Sequence, residues 1–248
     1  MLQVLTKEIL QWLAEEDENK LRELVEYRSK GDDPHFLAYL QEQGVIYSTT
    51  EEALDERLQE YGVSLDSLDL QKNNVAENGW LFPVYNAKGE WLYWVNYSNT
   101  RDSNKKYLNV VQQGNKDKMV FGLDTLPKAL EINQLVWVEG VIDQCRLASY
   151  GIPAVATLGT TISDYMTKLS RRVMSNIIIP DNDANGKTTI GKNFGSELQS
   201  QLANARTVGL SYVKDIDDCY SEMPEQFFWL MDNLSKESVS SESDAYKI

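Results

Sequence analysis

Two short apolar runs, each ending in an acidic turn, constrain the fold of this chain more than any other feature. Val136, Trp137 and Val138 favour β structure and stop at Glu139-Gly140, where glycine permits the sharp exit of a strand-to-helix turn. Ile177 to Ile179 do the same before Pro180, and the turn that follows reads Asp181-Asn182-Asp183. In an open parallel α/β sheet, ligands bind beyond the carboxyl ends of the strands, so Glu139, Asp181 and Asp183 are expected to gather at one sheet edge. Carboxylates held close together repel and call for cations at neutral pH. Mg²⁺, or Mn²⁺ in its place, suits the pattern: it takes oxygen ligands and is usually held by one or two carboxylates together with substrate phosphates. Asp143 falls in the first turn of the next helix, where the helix dipole favours a carboxylate whatever its role.

Around this edge the chain separates into regions. Residues 1–75 read as an acidic helical region, with Ile9, Leu10 and Leu13, then Leu21, Leu24 and Val25, at helical spacing, and a break at Gly31-Asp32-Asp33-Pro34. Phe36–Gln43 and Thr50–Tyr61 make two more short helices, with Asp33 and Thr49 as candidate caps. Residues 76–130 form a small α+β lobe in which the aromatic runs WLFPVY and WLYWVNY flank the turn Asn86–Gly89, a hairpin signal. Over residues 131–232 strand and helix alternate, with strands expected at Leu135–Val138, Ala154–Leu158, Asn176–Ile179 and Thr207–Val213. Repeated β-α units of this kind give a parallel sheet flanked by helices, an α/β fold. The Ser-rich stretch 233–248 reads as a flexible polar tail.

Several classes are excluded. Either acidic motif alone would be an ordinary solvated turn, since Asp and Asn are favoured there for local hydrogen bonding. Their occurrence together at equivalent strand ends tips the reading to a site. Gly186-Lys187-Thr188 does not make a phosphate loop, because position 181 is Asp where that motif needs Gly. Cys145, Cys219 and His35 cannot form a zinc-finger set, so no zinc is expected. No apolar run approaches the roughly 20 residues that span a bilayer, and the N-terminus lacks a basic leader, so a cytoplasmic protein is expected. The net charge of −14 weighs against nucleic-acid binding, but residues 1–75 carry −10 of it and residues 76–248 only −4. Lys88, Arg101, Lys105, Lys106, Lys116, Lys118 and Lys128 cluster just ahead of the acidic motif, leaving room for a local basic groove.

EGVID at 139–143 followed by DNDANGK at 181–187 resembles the Toprim domain, with a glutamate after its first strand and Asp-x-Asp after a later one. LASYGIPAVATLGT (147–160) is similar to the matching region of bacterial and phage DNA primases. FPVYNAKGEW (82–91), KKYLN (105–109) and KDKMVFGL (116–123) resemble the lobe that precedes Toprim in those enzymes, so the resemblance runs over about residues 76–222. It implies a Toprim-like fold and magnesium-dependent synthesis of RNA primers from ribonucleoside triphosphates on single-stranded DNA. Glu139, Asp143, Asp181 and Asp183 would be catalytic, with Glu139, Asp181 and Asp183 as metal ligands and Arg101, Lys106 and Lys118 as phosphate contacts. Neither a zinc module before the core nor a helicase after it is recognisable. Template recognition and fork coupling are therefore expected from a replicative helicase or a separate recognition protein, in a host cytoplasm if the chain is phage-encoded. A Toprim nuclease and a non-catalytic interaction module are the rivals; a topoisomerase fits less well.

Overall fold

The computed structural model describes residues 4–70, 78–99, 107–110, 120–159, 162–182, 194–210 and 212–244. The chain divides into two units, residues 1–27 with 32–117, and residues 28–31 with 118–248.

The first unit opens with α1 (Lys7–Glu16), α2 (Glu18–Ser29) and α3 (Pro34–Gln43). α2 buries the stripe its spacing predicts, Leu21, Leu24 and Val25, while α1 buries Leu10, Leu13 and Ala14 and leaves Ile9 partly exposed. The Asp33 carboxylate accepts a hydrogen bond from Phe36 N at 3.0 Å, and Pro34 occupies a first-turn position where its missing N–H costs nothing. At the other end Gly44 takes the left-handed conformation (φ 73°), and a Cβ there would stand 2.6 Å from Leu10 Cβ. After β1 (Ile46–Ser48) comes α4 (Glu51–Glu60), capped by Thr50 rather than by Thr49, through a 3.1 Å bond from Ala53 N to Thr50 Oγ1.

The aromatic runs form β2 (Gly79–Tyr85) and β3 (Trp91–Tyr97), an antiparallel pair in which Trp80 faces Tyr97 and Pro83 faces Trp94. Asn86 shapes the connecting turn by accepting from Lys88 N and Glu90 N, and Gly89 supplies the positive φ of 79°. With β4 (Tyr107–Val110) the sheet runs β1-β2-β3-β4. All of β2 is buried, and in β3 only Leu92 is partly exposed. Trp91, Tyr93 and Trp94 are therefore core residues of this sheet and offer no surface on which bases could stack. Burial pushes the Tyr93 phenol up to about 12.

In the second unit a 3-10 turn at Leu123–Thr125 leads into α5 (Leu126–Glu131). The chain then alternates β5 (Gln134–Val138), α6 (Val141–Ser149), β6 (Ala154–Ala156), α7 (Asp164–Ser170), β7 (Ser175–Ile178), α8 (Phe194–Gln201) and β8 (Ala205–Thr207). The sheet order is β6-β5-β7-β8, with every pairing parallel. This is the expected α/β architecture, with β5 central and buried along its length. Leu135, Trp137, Val155, Met166, Leu169, Ile178 and Leu198 belong to one core cluster, and the buried Trp137 indole donates to Asn176 Oδ1 at 2.8 Å.

The strand expected over Thr207–Val213 is corrected. Ala205–Thr207 pairs with β7, Val208 N adds one more bond to Ile178 O at 2.8 Å, and the chain then leaves the sheet toward Tyr212, which adopts a φ of 70°. A short helix that the sequence reading did not anticipate follows, α9 (Ile216–Glu222), and then α10 (Pro224–Asp244), which runs on into the stretch read as a tail. Among the described residues no helix is long and apolar enough to cross a membrane.

Candidate active site

Strands β5 and β7 are parallel neighbours with Trp137 opposite Ile178, so the turns that follow them are side by side. The sheet continues one step further, Ile179 N donating to Trp137 O at 2.9 Å. Glu139 and Asp181 are thereby brought together, and the Asp181 backbone N–H donates to Glu139 Oε1 at 3.2 Å. The two motifs separated in sequence are one sheet edge in the fold.

Asp143 joins them from the first turn of α6. It is 6% exposed, and one of its oxygens accepts from Asp217 N at 3.1 Å. Gly140, the residue before α6, leaves room for this carboxylate: a Cβ there would run into Asp143 Oδ2. Burial above all, then the charges of Asp215, Asp181 and Asp217, pushes the Asp143 carboxyl well above the usual carboxylate range, against the opposing pull of the Asp217 N–H.

Asp215 and Asp217 were missed by the sequence reading. The signal was present in Lys214-Asp215-Ile216-Asp217-Asp218, a third acidic run that comes after β8 as the other two come after β5 and β7. Asp215 caps α9, accepting from Asp218 N at 2.8 Å. Lys214 places its ammonium 2.8 Å from Asp215 Oδ2 and 3.2 Å from Asp181 Oδ2. Burial alone would lower the Lys214 pKa, but the hydrogen bonds and charges of Asp215 and Asp181 lift it above the usual lysine range. Asn182 ties the same turns together, its side chain donating to Leu210 O and Val213 O.

Asp217 is held differently. Arg146, fully buried, donates to its Oδ1 from Nε at 2.9 Å and Nη2 at 2.7 Å, while Arg28 Nε donates to its Oδ2 at 2.6 Å. The Arg146 guanidinium also lies 4.1 Å from the centre of the Tyr220 ring. Cys145 and Cys219 are buried free thiols. Among the described residues no group of three or more His, Cys, Asp or Glu side chains stands ready-made to hold a metal ion.

Of the residues singled out from the sequence, Glu139 and Asp181 come into contact, and Asp143 lies close enough to Asp181 to feel its charge. Asp183, Arg101, Lys106 and Lys118 lie outside the described residues, while Lys88 and Lys128 are exposed.

Comparison with known proteins bears on this edge. Residues 136–220 match a family of Toprim-like domains. No curated protein matches in sequence. The fold is similar to the zinc-binding and RNA polymerase domains of Aquifex aeolicus primase, with a TM-score of 0.63 and 21% identity over 92% of this chain and 62% of that one. It is similar to the E. coli primase catalytic core, with a TM-score of 0.63 and 21% identity over 89% of this chain and 75% of that one. It also resembles the RNA polymerase domain of Mycobacterium tuberculosis primase DnaG in complex with a double-stranded DNA oligomer with a 6-nucleotide overhang, with a TM-score of 0.66 and 19% identity over 91% and 75% of the two chains. The chain thus spans less than two thirds of the Aquifex structure's length.

Proposed function

From a chain that carries a Toprim-like domain at residues 136–220 on the fold of a bacterial primase catalytic core, we propose a nucleotidyltransferase of the primase class, which synthesises short RNA primers on single-stranded DNA. The observation that carries this reading is the contact of Glu139 with Asp181 at the neighbouring ends of β5 and β7, with Asp143 of α6 close to Asp181.

The donor set fits Mg²⁺ or Mn²⁺. Every candidate offers carboxylate oxygen, burial and then the charges of its acidic neighbours drive Asp143 toward its neutral form, and Gly140 leaves beside it a space that any Cβ would fill. Asp181 and Asp183 are assigned to hold the ions. When bound, the metal supplies positive charge against the triphosphate during in-line displacement. Glu139, oriented by the Asp181 N–H, holds or positions a further ion, or takes the proton of the primer 3′-hydroxyl as general base. Asp143 supports it from α6. Arg101, Lys106 and Lys118 are assigned to template and triphosphate phosphates.

The partners this function requires are a single-stranded DNA template and ribonucleoside triphosphates, and a replicative helicase or template-recognition protein acting with the chain in the cytoplasm. The test is incorporation of labelled ribonucleotides on single-stranded templates with Mg²⁺ or Mn²⁺. Short RNA products from the unmutated protein, and none from Glu139→Gln, are expected. Template degradation without incorporation would replace this reading with a nuclease; neither reaction, with or without a helicase, would leave an interaction module.

A further inference from the structure

The acidic edge contains two kinds of counter-ion. Asp217 has both oxygens taken by guanidinium groups, Arg146 being 0% exposed and Asp217 1%. Arginine's planar fork fixes such a pair in place, and removing either partner strands a buried charge. Lys214 is held otherwise. Its side chain is 52% exposed, it reaches Asp181 on one turn and Asp215 on another, and an ammonium on a four-carbon stem is a mobile point charge. Its backbone is anchored independently, because Asn182 N donates to Lys214 O and the Asn182 side chain to Val213 O. The ammonium can therefore leave while the loop stays.

Building on the metal reading above, we propose that Lys214 is the exchangeable counter-cation of this site: a divalent ion must displace its ammonium from Asp181 and Asp215, and this competition sets the affinity for Mg²⁺ or Mn²⁺. Asp217, neutralised by Arg146 and Arg28, stays a structural anchor outside the cation set. A monovalent and a divalent cation confined to the same pair of carboxylates repel over a few ångströms in a half-buried setting, which disfavours joint occupancy.

Calorimetric titration of the full chain with Mn²⁺ tests this. Lys214→Met keeps the stem and removes the charge, and should bind Mn²⁺ roughly tenfold or more tightly than the unmutated protein. Lys214→Arg should bind no more tightly, and Asp181→Asn should weaken binding in either background. An independent measurement needs no substitution: amine-directed acylation of Lys214, read by mass spectrometry, should be faster with saturating Mn²⁺ than with chelator. Equal or weaker Mn²⁺ binding by Lys214→Met, or unchanged acylation under conditions where calorimetry shows Mn²⁺ bound, overturns the exchange while leaving the metal site standing. Absence of Mn²⁺ binding in both the unmutated protein and Lys214→Met would sink the exchange and the metal reading together.

Discussion

In the antiparallel sheet β1-β2-β3-β4 the informative side chains turn into the unit's own core, whereas in the parallel sheet β6-β5-β7-β8 they lie just past the strand ends. Trp94 and Tyr93 are held within β3 by pairing along its length. Glu139 and Asp181 belong to turns, and only the parallel pairing of β5 with β7 makes them neighbours. Antiparallel hairpins return the chain beside itself and reward local packing; parallel crossovers bring the ends of distant strands to one edge. The first sheet is thus a packing element, while the second gathers the acidic side chains of the candidate site.

The largest effects should come from paired substitutions that set the two sheets against each other. Trp94→Ala empties a fully buried site and should cost about 3–5 kcal/mol, with any metal-induced stabilisation of the folded protein kept. Arg146→Ala strands the buried Asp217 carboxylate and should cost a similar ~3–5 kcal/mol, but with a reduced metal response, because Asp217 N holds Asp143. Urea unfolding with and without Mg²⁺ measures both; equal metal responses in the two variants would dissolve the distinction between the sheets.

Next in size is the acidic turn itself. Asp181→Asn with Asp183→Asn should remove the metal-dependent rise in melting temperature, equivalent to about 2.7 kcal/mol at a metal concentration of 100 times Kd. A shift that survives the double substitution would move the metal elsewhere. Gly140→Ala should act more mildly. Its φ of −98° suits alanine, so the cost is purely the new Cβ against Asp143, on the order of 1–3 kcal/mol, with a smaller metal response.

The hairpin was legible because Asn86 and Gly89 act through their own backbone neighbourhood, and the β5 and β7 ends because an apolar run and its acidic turn are adjacent in sequence. Thr207–Val213 was misread for the opposite reason. Its β-favouring residues leave the sheet after Val208, and Asn182, from a different turn, bonds the loop carbonyls. That error hid α9 and with it Asp215 and Asp217. Nor does spacing reveal that Lys214 crosses 33 positions to Asp181, or that Arg146 in α6 is buried against Asp217.

The smallest effect belongs to the aromatic sheet. Burial raises Tyr93 to about 12, so the stability it gives by remaining protonated is complete below its unfolded value near 10 and is lost as pH rises through the folded value. Tyr93→Phe should leave stability at pH 7 nearly unchanged and flatten its decline between pH 10 and 12. An identical alkaline decline in the variant would show that Tyr93 is not the group responsible.

The most direct measurement of the central claim is ribonucleotide incorporation on single-stranded DNA, run beside the Mg²⁺-induced melting shift. Three proteins are compared: the unmutated chain, Asp181→Asn with Asp183→Asn, and Arg101→Ala with Lys106→Ala and Lys118→Ala. The account predicts that the unmutated chain incorporates and shifts, the acidic double variant does neither, and the basic triple variant keeps the shift but loses incorporation. Template cleavage without incorporation by the unmutated protein, or full incorporation by the acidic double variant, would contradict it.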